Sequence, residues 1–298
     1  MLDGKPIIVG EVLFDVFPQG ESVLGGAPFN VAWHLQGFGL QPVMITAIGD
    51  DERGRQVLNI MKSWGMDLSG VQIDRQHPTG QVSVSLAEGI PSYEILSEQA
   101  YDFIETTTSI NVLSQTEPAL LCHGSLVART DASRRMIENL LSQYRLPAFV
   151  DINLRDPWWS HETVEAMLQK ARWVKLNEDE LSIIMHEKQD ERDGLKQLAQ
   201  RCLKHFNLEL LVVTLGEQGA FCTTRNEMID SEPVRVDNMV DTVGAGDSFT
   251  AVMITGLLAG WPLATALPRA LQFSAAICGI RGATTDNRDL YDRFLAQW

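Results

Sequence analysis

The sequence predicts an α/β fold on a mostly parallel sheet, and three observations carry that prediction. Short β-branched runs recur along the chain, amphipathic segments separate them, and from residue 247 onward nearly everything follows a helical period. The runs are PIIVG at 6–10, PVMITAIG at 42–49, PALLCHGSL at 118–126, PAFVDINL at 147–154, RWVKLN at 172–177 and LELLVVTLG at 208–216. None alternates strictly between polar and apolar, so each reads as a strand buried on both faces. Helical patterns fill 51–64, 131–144, 162–171 and 191–206, and strand alternating with helix implies a parallel sheet covered on both sides. The C-terminal helical stretch, 247–297, breaks at GWPL and at RGATTDN.

Residues 80–96 interrupt this rhythm. Val82, Val84 and Leu86 alternate with polar residues, a turn is expected at Glu88-Gly89, and Tyr93 and Ile95 resume the alternation. That is a hairpin with one wet face, and the pattern alone fits a decorative edge as well as a lid over a site.

The 298 residues lie within reach of one large α/β domain. With 45% apolar and 21% charged residues, and no repeat, low-complexity tract or linker, one ordered domain over 1–298 is expected. A formal net charge of -15 argues against nucleic acid and against an anionic membrane surface. The first 120 residues hold 5 Lys and Arg against 15 Asp and Glu, so a strongly anionic substrate would find few partners there. Cys122, Cys202, Cys222 and Cys278 form no C-x-x-C pair and read as buried free thiols. The start lacks a basic stretch ahead of a long apolar core, and no later apolar run has spanning length, so a reduced, cytoplasmic protein is expected.

The stretch MVDTVGAGDSFTAVMITGLLAG, 239–260, opens with residues of little reach and closes as a buried helix. Gly244, Ala245 and Gly246 let a ligand approach the backbone, and the first amides of a helix have no intrahelical partner. Those amides and the helix dipole suit an anion such as phosphate. Asp247 beside them is repulsive unless it faces a hydroxyl that loses its proton while attacking phosphorus. The spacing equally allows Asp247 merely to complement the dipole. No G-x-x-x-x-G-K-[ST] occurs, and VGAGD lacks the third glycine of a dinucleotide fingerprint, which disfavours a Rossmann dehydrogenase.

A second constellation, GGAPFNVAWHLQGFG at 25–39, places Gly25 and Gly26 at a turn and Asn30 in the first turn of the following helix. Asn30 offers a donor and an acceptor to hydroxyls, and Val31, Leu35 and Phe38 begin a buried face. An ordinary loop entering a helix fits the same residues.

Together the diglycine with its Asn and the DTVGAGDSF stretch resemble the paired signatures of the PfkB, or ribokinase-like, carbohydrate kinases, in the right order across nearly the full chain. The overall pattern is most like bacterial fructokinases. The resemblance implies a three-layer α/β/α sandwich with a small β-sheet lid from segments near 11–25 and 79–105. It also implies ATP as phosphoryl donor, Asp247 as base and the Gly244–Asp247 amides as anion hole. Asp15, Gly25, Gly26, Asn30 and Asn153 would bind the sugar, and Arg155 in DINLR would serve either the phosphates or the sugar. NEDE matches N-x-x-E, placing Asn177 and Glu180 near Mg2+ through water, and TLGEQGA assigns Thr214, Gly216 and Gly219 to the nucleotide. Asp241 and the Val243 carbonyl become candidate ligands of a monovalent cation such as K+, with others near Gly282 and Asp286.

Ile152 and Val243 depart from the family's frequent Pro and Thr or Ser, which weakens only a finer subfamily assignment. A homodimer through the lids is implied, with Val82, Val84, Leu86 or Tyr93 facing the partner. Scarce basic residues favour a neutral sugar over a sugar phosphate or acid. Fructose is the first expectation, ahead of ribose, 2-keto-3-deoxygluconate and a nucleoside. A non-catalytic sugar or nucleotide sensor stays open. His123 reads as a core or loop histidine, Trp158 and Trp159 as packing residues, and RTDASRR as a solvated helix start.

Overall fold

Two sheets organise the chain, whose computed structural model describes residues 2–87, 90–189, 191–236 and 238–298. The expected Glu88-Gly89 turn lies outside them. The chain enters through β1 (Lys5–Val9), β2 (Leu13–Val16) and β3 (Ser22–Gly25), then runs through α1 (Ala27–Gly37), β4 (Val43–Gly49), α2 (Glu52–Ser63) and β5 (Val71–Asp74). Next come β6 (Gly80–Ala87), β7 (Ile90–Ile95), α3 (Thr106–Ser114), β8 (Pro118–His123), α4 (Asp131–Tyr144), β9 (Ala148–Asp151) and α5 (His161–Lys170). β10 (Trp173–Asn177), α6 (Glu178–Ile184), α7 (Arg192–His205), β11 (Leu210–Thr214), β12 (Ala220–Thr223) and β13 (Met228–Ser231) precede three helices, α8 (Ala245–Ala259), α9 (Leu263–Ile277) and α10 (Arg288–Gln297).

The larger sheet has nine strands in the order β13-β12-β11-β10-β9-β8-β1-β4-β5. It is parallel from β11 to β5, and β12 and β13 add an antiparallel edge. From β1 the chain steps outward to β4 and β5, and later from β8 outward to β11 in the other direction. Direction therefore reverses between β1 and β8, where the carboxyl ends of parallel strands open a crevice.

Alternate residues of these strands feed opposite layers, as the unbroken apolar runs require. Ile8, Met44 and Phe149 join Phe29, Leu35, Phe249 and Phe273 under α1, α8 and α9. Ile7, Val9 and Ile45 join Ile137 and Leu140 of α4, while Val150, Val174 and Val213 join Leu168, Leu181 and Leu198 of α5 to α7. Each such buried side chain contributes about 1.5–3 kcal/mol of transfer free energy. The four cysteines are free and buried, as expected. Among the described residues no helix is long and apolar enough to cross a membrane.

The second sheet, β3-β2-β6-β7, pairs β2 with β6 in parallel and is otherwise antiparallel. Its register puts Asp15 opposite both Val23 and Val82, so these side chains share a face. Val82 and Val84 are 5% and 3% exposed, which corrects the expectation that they face a partner, because packing within the chain already covers them. Tyr93, opposite Val84, remains 57% exposed.

Two polar anchors fix this sheet to the domain. Asp51 caps α2 by accepting from the Gly54 amide at 2.7 Å and also accepts from the Thr79 amide at 2.8 Å, pinning the residue before β6. Arg129 donates to Asp102 Oδ1 at 2.7 Å and Oδ2 at 2.5 Å, and to the Leu96 carbonyl just after β7 at 2.8 Å. Thr130 caps α4, so RTDASRR does start a helix. Its Arg129 side chain is only 4% exposed rather than solvated, since the buried Asp102 carboxylate requires a cation.

Candidate active site

Gly244 N-caps α8 at φ 76, and a Cβ added there would lie 2.4 Å from the Ala283 Cβ. A positive φ and a wall against its Cα leave glycine as the residue that fits. Ser248 closes the first helical bond onto the Gly244 carbonyl at 2.9 Å, whereas the Gly246 and Asp247 amides have no hydrogen-bond acceptor among the described residues. Two amides of this turn are therefore without an acceptor among the described residues, as the first amides of a helix are.

Asp247 sits in that turn, 8% exposed, and accepts from the Asn30 side-chain amide at 2.7 Å. The first turns of α1 and α8 thus meet, and the two sequence motifs join across 217 residues of chain. The other amide atom of Asn30, Oδ1, is buried without a partner among the described residues and is free to accept from a hydroxyl. Burial pushes the Asp247 carboxyl up to about 6; the Asn30 donor opposes that rise, Asp151 adds to it, and Lys175 and Arg155 oppose it.

Gly26, at φ 110, lies against Glu11, whose carbonyl oxygen would be 2.6 Å from an added Cβ. Asp15 stands beside the diglycine, with its Oδ2 3.7 Å from where a Gly25 Cβ would be, and burial raises its pKa. Asn153 is half-buried at φ 48, and its carbonyl accepts from the Ser125 hydroxyl at 3.0 Å. Arg155 is exposed at the rim, donates to the Leu154 carbonyl at 3.0 Å, and acts electrostatically on both Asp247 and Glu11.

The residues expected on the nucleotide side gather at the neighbouring strand ends. Asn177 closes β10 directly opposite Thr214 of β11, and the turn after β11 is held by the Leu215 amide on the Gly219 carbonyl at 2.9 Å. Asn177 also caps α6 in a reciprocal box: its Oδ1 accepts from the Glu180 amide at 2.8 Å, and Glu180 Oε2 accepts from the Asn177 amide at 2.9 Å. The second Glu180 oxygen accepts from the Leu154 amide at 2.8 Å, so Glu180 fixes the loop after β9 as well as the helix. Burial raises the Glu180 pKa, with Lys175 opposing. Asp241 accepts from the amides of Val243 at 3.0 Å and Gly282 at 3.2 Å, tying the loop ahead of α8 to the loop ahead of α10. Among the described residues no group of three His, Cys, Asp or Glu side chains could hold a metal.

Glu11, Asp151, Lys175 and Thr250 belong to this site and escaped the sequence reading. Glu11 is 5% exposed, its Oε2 has no partner among the described residues, and burial raises its carboxyl to about 7 with Asp247 adding to the rise. A signal for Lys175 was present: a lysine stands mid-strand in WVKLN, where both neighbours are apolar. His123 is 3% exposed, contacts the Gly124 carbonyl at 3.0 Å and is held neutral by burial, as a core histidine should be. Trp158 packs under the Arg129 guanidinium at 4.4 Å, and Trp159 packs on the α5–α7 core.

Residues 13–290 match the pfkB family carbohydrate kinase domain. The chain belongs to the pfkB carbohydrate kinase family. Among similar proteins, a fructokinase of Escherichia coli is 29% identical over 86% of this chain and 85% of its own, and a putative sugar kinase of Pyrococcus horikoshii is 27% identical over 84% and 81%. A Vibrio cholerae fructokinase double mutant solved with fructose, ADP and potassium superposes at TM-score 0.81, with 24% identity and 98% of each chain covered. An Arabidopsis thaliana ribokinase solved with ribose and ATP gives TM-score 0.83 at 18% identity over 99% of each chain. The pfkB fold is thus the expected three-layer sandwich with a mostly parallel central sheet, and the pfkB activity is that of a carbohydrate kinase.

Proposed function

We propose that this kinase transfers the γ-phosphoryl group of ATP to a hydroxyl of a small neutral sugar, with fructose the first candidate. The observation that carries the reading is the 2.7 Å bond between Asn30 and Asp247 in a turn with two unpaired amides. It supports reading Asn30 as the amide that recognises a hydroxyl, Asp247 as the base and the two amides as the anion hole. The Asp247 carboxylate takes the proton of the sugar hydroxyl as that oxygen attacks the γ-phosphorus and the bond to the ADP oxygen breaks. The Gly246 and Asp247 amides hold the charge gathering on the phosphoryl oxygens, and Gly244 and Ala245 keep the approach open.

Asp15 and the Asn30 Oδ1 accept sugar hydroxyls beside Gly25 and Gly26, and Asn153 and Arg155 complete the sugar site. The sheet bearing Asp15 covers the sugar as a lid and excludes competing water. Thr214, Gly216, Gly219 and Asn177 take the nucleotide. A magnesium ion carried on the phosphates and water would neutralise phosphate charge; with both Glu180 oxygens already on amides, it fits Glu180 through water alone. Asp241 and the Val243 carbonyl are proposed for a monovalent cation, and a lid-to-lid homodimer is proposed with Tyr93 at its surface. Fructose rests on the fructokinase relatives and on the scarcity of basic residues around the first strands.

The deciding experiment is ADP release over a panel of neutral sugars, run beside Asp247→Asn. Turnover is expected with one or a few sugars and a loss on the order of a hundredfold or more in the variant. A variant rate within about threefold of the parent would remove Asp247 as base. Sugar binding by calorimetry with no ADP release from any sugar would favour the sensor reading.

A further inference from the structure

Lys175 lies in the middle of a central strand between residues withdrawn from water, and is itself only 8% exposed. A lone buried ammonium is costly, so its surroundings say what it is for. It donates to Asp151 Oδ1 at 2.9 Å, and the other oxygen of Asp151 accepts from the Thr250 hydroxyl at 2.7 Å. Asp151 is 5% exposed and Thr250 fully buried. The three groups link β10, the end of β9 and the second turn of α8.

The ammonium abuts the anion-hole turn. A Cβ added to Gly246 would lie 3.0 Å from the Lys175 nitrogen, which gives Gly246 a reason to be glycine besides ligand approach. Of the three N–H groups of an ammonium, only one is committed to Asp151 among the described residues.

We propose that Lys175 is a positioning residue for phosphoryl transfer: clamped by Asp151 and Thr250, it fixes a positive charge against the first turn of α8 and stabilises the Asp247 carboxylate there. This rests on Asp247 acting as the base. The groups facing Asp247 come from every neighbouring element: the neutral Asn30 amide from α1, Glu11 after β1, the Cys122 thiol on β8, Asp151 and Arg155 at and after β9, and Lys175 on β10. Lys175 and Arg155 favour the carboxylate, whereas Glu11 and Asp151 oppose it. Removing Lys175 leaves the Asp247 carboxylate facing Asp151, with Glu11 adding its charge only as pH rises through about 7 and one rim arginine to offset them.

The two ends of the clamp therefore predict opposite signs. In a profile of kcat/KM against pH, Lys175→Met moves the acidic limb to higher pH and Asp151→Asn moves it to lower pH, each by about one unit. Sugar KM stays within about threefold, because neither residue faces the sugar. Lys175→Met leaves Asp151 buried without its cation and risks misfolding, so the double variant Lys175→Met/Asp151→Asn, which removes both charges together, is measured beside it. The double variant is expected to fold by circular dichroism, to turn over more slowly, and to return the limb toward its original position. Limbs that stay put, or move the same way in folded Asp151→Asn and in whichever lysine variant folds, overturn the proposal. If Asp247→Asn abolishes turnover while the limbs stay put, this inference alone fails; if Asp247→Asn stays active, the base reading itself has failed.

Discussion

The side-chain amide of Asn30 donates to Asp247 at 2.7 Å from the first turn of one helix to the first turn of another. Both residues are buried, so this bond orients the carboxylate and offsets part of the energetic penalty of keeping it charged. Asn30→Leu removes the donor and the free Oδ1 together. Its acidic limb is expected at higher pH than the parent's, with kcat/KM for sugar down on the order of a hundredfold and KM for ATP within about threefold. Steady-state kinetics across pH checks it, and a matched rise in both KM values would place the defect in folding.

A buried carboxylate at the proposed base position has a thermodynamic cost. The Asp247 pKa is raised from 3.8 unfolded to about 6 folded, so the native state binds the extra proton between those values. The associated stability is present below the unfolded pKa and lost as pH rises through about 6. Above that pH the ionised group costs on the order of 2–3 kcal/mol relative to a neutral isostere. Asp247→Asn is therefore expected to melt several degrees above the parent at pH 8, with the gain shrinking toward pH 5, while turnover is lost. Calorimetric scans at the two pH values test this, and a lower Tm at pH 8 would count against it.

Much of this site was legible because its signals are local. Small residues ahead of a buried helix, a diglycine ahead of another, and apolar runs without alternation each follow from what a few consecutive residues must do. The central strands and the three C-terminal helices appear where those patterns stand. β12 and β13 were missed because each is only four residues long, and α6 because it is two turns long and opens with three acidic residues in NEDE. Glu11, Lys175 and Asp151 were missed for another reason. Their meaning depends on partners brought together by the sheet order, and Arg129 looked solvated in RTDASRR because Asp102 lies 27 residues upstream.

Gly244 offers a test of the anion hole that leaves every charge in place. Gly244→Ala puts a Cβ at φ 76 and 2.4 Å from the Ala283 Cβ, so the cap must shift. The expected result is a fall in kcat of at least about tenfold with sugar KM little changed, because the displaced amides are the ones proposed to act on the transferring group. Adding Ala283→Gly removes only the Cβ contact; the residue-283 Cα at 2.5 Å and carbonyl oxygen at 2.9 Å stay, as does the left-handed strain, so most of the loss should persist. Full activity in Gly244→Ala would mean that the turn tolerates displacement and contributes little to the transition state.

Arg129 ties the second sheet to the domain, and its loss should separate sugar binding from chemistry. The guanidinium holds both oxygens of Asp102 and the Leu96 carbonyl, and packs over Trp158 at 4.4 Å and Tyr101 at 5.1 Å. Arg129→Met leaves the Asp102 carboxylate, 3% exposed, without its cation, which typically costs about 3–5 kcal/mol. Arg129→Met/Asp102→Asn removes the buried charge as well and should regain most of that stability. It cannot restore the bond to Leu96, so β7 stays loosened where the chain leaves the sheet bearing Asp15. The double variant is expected to melt near the parent temperature yet show sugar KM raised about tenfold, with the Asp247 limb of the pH profile unmoved. Recovery of both stability and KM would make Arg129 a purely structural counter-ion and leave the Leu96 contact without a role in closing the sheet over the sugar.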